Sequence, residues 1–390
     1  MFRNLLRFID RCVGFVALVL CLPVIRLILY QLNDRAGKKE EGPKTFLVIK
    51  MVGMGDAVMA LTVLDCLKRR IPNSKIIALT TPITAGIWEK QPCFNKVIDY
   101  DILGDQKGIY SLIKLVCRLR KEQIDCVIDF EPYVRMTAML SMFTGAAQRI
   151  GFYYGNSYRK NAFTDPVELN PRVHRMKAHM ALLAPLGIQI EVHTLKPLLV
   201  TEEDRVILRQ WLHDKEIHNG HRIVVIHPGS GERGKTRRWP EESFIELTNL
   251  LLKNSDSTVI FCGSEKEKSL TDSICSNVSS DRAMSVAGEL SIRTLAALLC
   301  QTDLFIGNDT GPMHLSAAMG TPTIGLFGPE TPVRYGPFGG KNINFYGSVP
   351  CSPCISIHLG QVPDCHQQRP ICMAEIKPND VWKGAQKILT

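Results

Sequence analysis

The segment Val52-Gly53-Met54-Gly55-Asp56 follows a short apolar run. Its two glycines let backbone approach a ligand closely. The carboxylate after them can project into a cleft between domains. Asp is also a favoured helix cap, so Asp56 can equally do no more than start the next helix. A dinucleotide fingerprint needs a small residue three positions after its second glycine. Val58 stands there and no acidic partner closes the second strand, which argues against an NAD site.

A sharper signal is Asn308-Asp309-Thr310-Gly311-Pro312-Met313-His314. Backbone N–H groups opening a helix, with the Thr310 hydroxyl and Gly311 beside them, suit a diphosphate. Asp309 can be a ligand-facing carboxylate or an N-cap, and His314 a ligand contact or a packed residue. Between the two stretches, Lys235-Thr236-Arg237-Arg238-Trp239-Pro240 sets three cations before a proline that can start a helix. Arginine offers planar two-point contact to phosphate, so this loop reads as a clamp on an anionic leaving group or as a solvated charge run.

Late in the chain, Cys351, Cys354, Cys365 and Cys372 are spaced x2, x10 and x6. The first spacing is that of a zinc knuckle and the second half is looser. A structural zinc, free thiols and a redox-sensitive pair are the readings, with His358 and His366 as extra candidate ligands. Thirteen cysteines, an odd number in a chain too long to depend on disulfides, point to a reducing compartment.

The elements that position these residues follow from periodicity. With 390 residues, 22% of them charged, the chain can form two domains with separate cores. Its net +9 favours anionic partners without naming them. The first 32 residues are basic at the start and then apolar, uncharged from Cys12 to Ile25. Fourteen residues make a helix of roughly 21 Å, short of a hydrocarbon core about 30 Å thick. Monotopic or re-entrant insertion, a single span and a buried helix are therefore all open, and no small-x-small cleavage site follows. Residues 33–44, charged with Gly and Pro, read as a linker.

From there strands and helices alternate, which predicts parallel sheets covered on both faces. Strands are expected at Phe46–Met51, Lys75–Thr80, Lys96–Tyr100 and Cys126–Phe130, with helices over Ala57–Arg69 and Ile109–Glu122. Residues 131–180 read as less regular and mix aromatic with basic side chains, among them Tyr133, Arg159, His174 and Arg175. They suit either a solvated surface or a cleft for a phosphorylated sugar. A second alternating unit runs from Arg222, with strands ending in His227-Pro228-Gly229-Ser230-Gly231, Gly263-Ser264-Glu265 and Gly307-Asn308-Asp309. Ligands in such sheets bind beyond the carboxyl ends of the strands.

Taken together, GMGD after the first strand, HPGSG, RRWP, the strand-end GSE and GNDTGPMHLSAAMGTPTIGLFGP resemble glycosyltransferase family 9, the ADP-heptose:lipopolysaccharide heptosyltransferases, over roughly residues 45–345. The resemblance implies an α/β chain of the GT-B fold, two Rossmann-like domains facing each other across a cleft, here with an N-terminal apolar membrane-associating helix. The parts are a membrane-associating segment and linker (1–43), an acceptor domain (44–195), a nucleotide-sugar domain (196–345) and a Cys-rich segment with a C-terminal helix (346–390), which would pack back across the acceptor domain. It further implies inverting, metal-independent transfer of heptose from ADP-heptose to a phosphorylated, lipid-linked core sugar at the cytoplasmic face of the inner membrane, with no nucleic acid involved.

By the same analogy Asp56 is the general base, with Gly53 and Gly55 in the acceptor-side loop. The donor set is Ser230, Lys235, Arg237, Glu265, Asp309, Thr310, Gly311 and His314, with Glu265 on the ribose. The family usually has Lys two residues before the Trp, where this chain has Arg237. Another nucleotide sugar for a surface glycan, or a non-catalytic membrane-tethered binding protein, are the alternatives.

Overall fold

The computed structural model describes residues 45–101, 106, 108–217, 221–367 and 369–390. The apolar segment 1–32 and the linker lie outside the described residues. Among the described residues no helix is long and apolar enough to cross a membrane.

The first sheet is wholly parallel, in the order β3-β2-β1-β4-β5-β6. Its strands are β1 (Thr45–Ile49), β2 (Lys75–Thr80), β3 (Lys96–Asp99), β4 (Cys126–Asp129), β5 (Gln148–Tyr153) and β6 (Asp165–Glu168). The central TFLVI and CVID are buried on both faces, as strands covered by helices must be, and so read as apolar runs without alternation. The helices are α1 (Met54–Arg70), α2 (Pro82–Trp88), α3 (Ile109–Lys121), α4 (Arg135–Phe143) and α5 (Arg175–Ala181).

Residues 131–180 are thus more regular than their composition suggests, because they supply α4, β5, β6 and α5. Asp165-Pro166-Val167-Glu168 forms the edge of the sheet, pairing only with β5, and an edge tolerates both proline and polar residues. Nor is the basic run there all surface: Arg159 and Arg175 are fully buried.

After α6 (Glu202–Asp214) the second parallel sheet runs β12-β11-β10-β7-β8-β9. It comprises β7 (Arg222–His227), β8 (Ser257–Phe261), β9 (Ala283–Ser285), β10 (Leu304–Asn308), β11 (Thr323–Phe327) and β12 (Ile343–Tyr346). Around it lie α7 (Glu241–Asn254), α8 (Lys268–Ser276), α9 (Ile292–Leu299), α10 (Gly311–Met319), α11 (Pro332–Tyr335) and α12 (Ile371–Ala374). Ser291 caps α9, accepting from the Thr294 N–H. Both sheets reverse strand order beside their first strand, between β1 and β4 and between β7 and β10, and such crevices take ligands.

The last helix, α13 (Pro378–Leu389), departs from expectation. It packs on α7, β10 and β11 of the second half instead of crossing to the first. The amphipathic pattern explains this: Val381, Trp382, Ala385 and Leu389 fill the core that holds Trp239 and Phe244. Trp239 also donates its indole N–H to the Ile376 carbonyl just before α13 (3.0 Å).

The halves meet along α1 and α10. A Cβ built on Gly55 would stand 2.3 Å from His314 Cδ2, and one on Gly311 2.6 Å from Met54 Cβ. Either contact is far inside van der Waals distance, so glycine at both positions lets two helix N-termini abut. Away from this seam, Arg293 on α9 binds Asp204 (Nε to Oδ1, 3.1 Å) and the carbonyls of Glu89 and Leu199.

Candidate active site

Asp56 lies in the first turn of α1, but Gly53 occupies the N-cap position with φ +88°, so the carboxylate is not the cap. Its oxygens are held from two sides. Arg175, at the start of α5, donates from Nε to Oδ1 (3.0 Å) and from Nη2 to Oδ2 (3.2 Å). Lys50, just past β1, brings Nζ to 3.2 Å of Oδ2. Burial alone would push the Asp56 carboxyl up, but Arg175 and then Lys50 overcome it and hold the group well below the usual carboxylate range. Asp56 is therefore ionised throughout the physiological range.

Glu131, beyond the end of β4, completes this network. Its Oε1 accepts from Lys50 Nζ (3.0 Å) and from the backbone N–H groups of Met51 (2.7 Å) and Val52 (2.8 Å). A buried carboxylate thus fixes the loop that carries the GMGD turn. Burial depresses the Lys50 ammonium, and Glu131 and Asp56 more than restore it. Sequence reasoning missed Lys50 and Glu131, although each is a charge placed at the end of an apolar strand. Arg175 was set among cleft-surface cations, whereas it is a buried partner of Asp56. The glycines also act differently from the expectation of ligand approach, since Gly55 is closed off by His314.

Across the seam, Asp309 is likewise not a cap: Thr310 takes that position for α10. Arg237 Nη1 donates to the Asp309 carbonyl (2.6 Å) and to Oδ2 (3.2 Å). Burial pushes the Asp309 carboxyl up against the opposing pull of Arg237. Arg237 keeps a buried Nε without a partner among the described residues. Arg238 donates from Nε to Ser230 Oγ (3.1 Å), joining the basic loop to the strand end of β7. Asn308 unites three loops, accepting from the Trp239 N–H (3.0 Å) and donating to the carbonyls of Pro228 (2.9 Å) and Gly229 (3.2 Å).

Thr310 Oγ1 lies 3.1 Å from His227 Nδ1 and donates to the Asn308 carbonyl (3.1 Å). The other His227 nitrogen stands 3.6 Å from Glu267 Oε2. Glu267 also accepts from the N–H groups of Gly231 (3.0 Å) and Ser264 (3.0 Å). Burial would raise its carboxyl, but His227 and these N–H groups hold it below the ordinary range. Glu265, the acidic residue singled out from sequence, is exposed at the rim beside Gly288, and Lys235 is exposed on its loop. His314 is buried against Gly55, and burial lowers its pKa to about 4, so it is a neutral packed ring.

The four late cysteines line one cavity of about 10 Å³, together with Thr236 of the basic loop. Among the described residues, no three His, Cys, Asp or Glu side chains are grouped as a metal site requires. Burial pushes the Cys372 thiol up to about 11.

The family model for glycosyltransferase family 9 (heptosyltransferase) matches residues 112–359. The chain belongs to that family. It is a glycosyltransferase, and among its relatives is a lipopolysaccharide core heptosyltransferase of Haemophilus influenzae, 25% identical over 306 residues, covering 76% of this chain and 83% of that protein. The Escherichia coli K12 lipopolysaccharide heptosyltransferase 3 is 27% identical over 300 residues, covering 75% of this chain and 85% of that protein. Among solved structures, a family 9 glycosyltransferase from Veillonella parvula gives a TM-score of 0.74 at 21% identity, over 89% of this chain and 97% of the other. The E. coli ADP-heptose lipopolysaccharide heptosyltransferase II gives 0.71 at 20%, over 88% and 98%. At these identities the structures establish the shared GT-B-like fold of two parallel sheets.

Proposed function

We propose that this enzyme transfers heptose from ADP-heptose to a phosphorylated, lipid-linked core sugar at the cytoplasmic face of the inner membrane, with inversion and with Asp56 as base. The observation that carries the reading is the abutment of α1 and α10. It sets the Asp56 carboxylate opposite the Asp309-Thr310-Gly311 turn, so that a donor held by the second half presents its sugar to a base on the first.

On this reading residues 44–195 bind the acceptor and 196–345 the donor. The diphosphate lies at the N-terminus of α10, where free N–H groups and the helix dipole favour negative charge. Thr310, Ser230, Arg237, Arg238 and Lys235 contribute there, and Glu265 at the rim meets the ribose. The acceptor hydroxyl oxygen bonds to the anomeric carbon as the bond from that carbon to the phosphate oxygen breaks. ADP leaves with the electron pair, and the hydroxyl proton passes to Asp56.

A carboxylate paired to Arg175 and Lys50 has low proton affinity. It accepts that proton late, once the hydroxyl oxygen has become acidic through bonding to carbon. No step runs through a metal. Zinc at the four cysteines is a separate structural expectation that requires the sulfurs to draw in to about 2.3 Å from a common centre. Elemental analysis of purified protein, near one equivalent or near none, decides it.

Binding of a panel of nucleotide sugars tests the donor. Preference for ADP-heptose supports the proposal, and preference for a uridine sugar overturns it.

A further inference from the structure

The apolar surface of the first half is distributed unevenly. Within residues 45–168, among the described residues, the large apolar and aromatic side chains that stay exposed all follow the carboxyl end of a strand. Ile83 follows β2, Tyr133 follows β4 and Tyr154 follows β5. The densest group is on α3, where Ile109 is 72% exposed, Tyr110 80% and Ile113 53%.

This helix has two faces with different fates. Leu112, Leu115, Val116 and Leu119 pack on the sheet beside Leu47, Ile49 and Leu79. The outer face begins with Ile109, Tyr110 and Ile113 and continues, at helical spacing, with exposed Lys114, Arg118 and Lys121. The helix contains no acidic residue. Because α3 returns antiparallel to the strands, its apolar first turn lies at the same edge of the sheet as Asp56, and its cations lie farther along.

We infer that the outer face of α3 docks the enzyme on an anionic lipid bilayer, with Ile109, Tyr110 and Ile113 entering the headgroup boundary and Lys114, Arg118 and Lys121 meeting lipid phosphates. Apolar side chains next to an acid-free row of cations are what an interfacial helix presents to anionic lipid. Lysine and arginine stems reach along the apolar surface while their charges stay in the headgroup layer. The docking rests on the reading of the acceptor as lipid-linked: it would hold the enzyme at the surface from which such an acceptor rises, with the carboxyl edge of the first sheet beside that surface. The face is distinct from residues 1–32.

The test uses the full chain and vesicles of phosphatidylcholine alone or with one-third phosphatidylglycerol, with no donor or acceptor. Ile109→Ser/Tyr110→Ser/Ile113→Ser and Lys114→Glu/Arg118→Glu/Lys121→Glu should each weaken binding to the anionic vesicles more than tenfold with unchanged thermal midpoints. Val206→Ser/Ile207→Ser, an exposed pair on α6, should change it less than twofold. A second measurement reads the face directly even if residues 1–32 also hold the membrane. Trp introduced as Ile109→Trp should add fluorescence that brominated lipid quenches. Binding unaltered in both triple variants, or no added quenching, overturns the inference. Absence of sugar transfer from any nucleotide sugar would instead sink the proposed reaction and leave the vesicle result standing.

Discussion

Arg175 grips both carboxylate oxygens of Asp56 with two nitrogens, although the residues are 119 positions apart in the chain. The grip fixes the rotamer of the proposed base and sets its charge. Asp56→Asn keeps the shape and removes the proton acceptor. Turnover should fall by about 10²–10⁴, while ADP binding, measured by calorimetry, stays within a few-fold of wild type.

The same pairing makes a pH prediction. The folded pKa of Asp56 lies below its unfolded value of about 3.9. The stability it contributes is therefore present above that unfolded value and is lost only as pH falls further, toward the folded pKa. Turnover should accordingly show no acid limb from Asp56 between pH 5 and 8. Arg175→Lys, which keeps charge but loses the two-point contact, should move an acid limb upward in the kcat profile. An unchanged profile would remove Arg175 from the control of Asp56.

The seam histidine works in a different window. Burial lowers the His314 pKa to about 4, against an unfolded value of about 6.5. As pH falls from about 6.5 toward 4 the unfolded chain takes up a proton that the folded one refuses, so stability drops by about 3 kcal/mol over that range. His358, lowered to about 3 by burial, acts in the same direction. Denaturant unfolding at a series of pH values should show the fall, and His314→Gln should make it shallower.

Gly55→Ala would drive a methyl group into His314, at 2.3 Å in the present geometry. Overpacking of this kind costs about 1–3 kcal/mol, and it should also separate Asp56 from the donor turn and lower kcat. Adding His314→Ala clears the space. Recovery of stability and of part of kcat in the double variant is the expected coupling, and simple additivity would show that the contact is not the cause.

On the donor side, His227→Ala leaves Thr310 and Glu267 without their shared partner. ADP affinity should fall about tenfold, roughly 1.4 kcal/mol, the upper part of what one ordinary hydrogen bond contributes. His227→Gln, which preserves a polar group at the position, should restore part of it.

The strand-loop-helix order of both halves was legible because buried parallel strands read as apolar runs and the turns after them carry Gly, Asp and Asn. Asp56 and Asp309 were visible for the same reason. Their partners were not. Nothing local distinguishes Arg175 from the exposed Arg172, and Glu131 declares itself only once β4 lies beside β1. Gly55 was read as leaving room for a ligand because its real neighbour, His314, belongs to the other half. The placement of α13 depended on which apolar face lacked a cover, a property of the assembled second sheet.

That last placement bears on the order in which the molecule is made. Trp239, which ends the basic loop, has its indole bonded at Ile376 and shares its core with Trp382 on α13. A ribosome that has delivered the chain only as far as β12 has produced the whole first sheet and every strand of the second, yet the loop bearing Arg237 and Arg238 still lacks its floor. The floor under the proposed donor loop is therefore the last part of the second half to be completed, once α13 emerges.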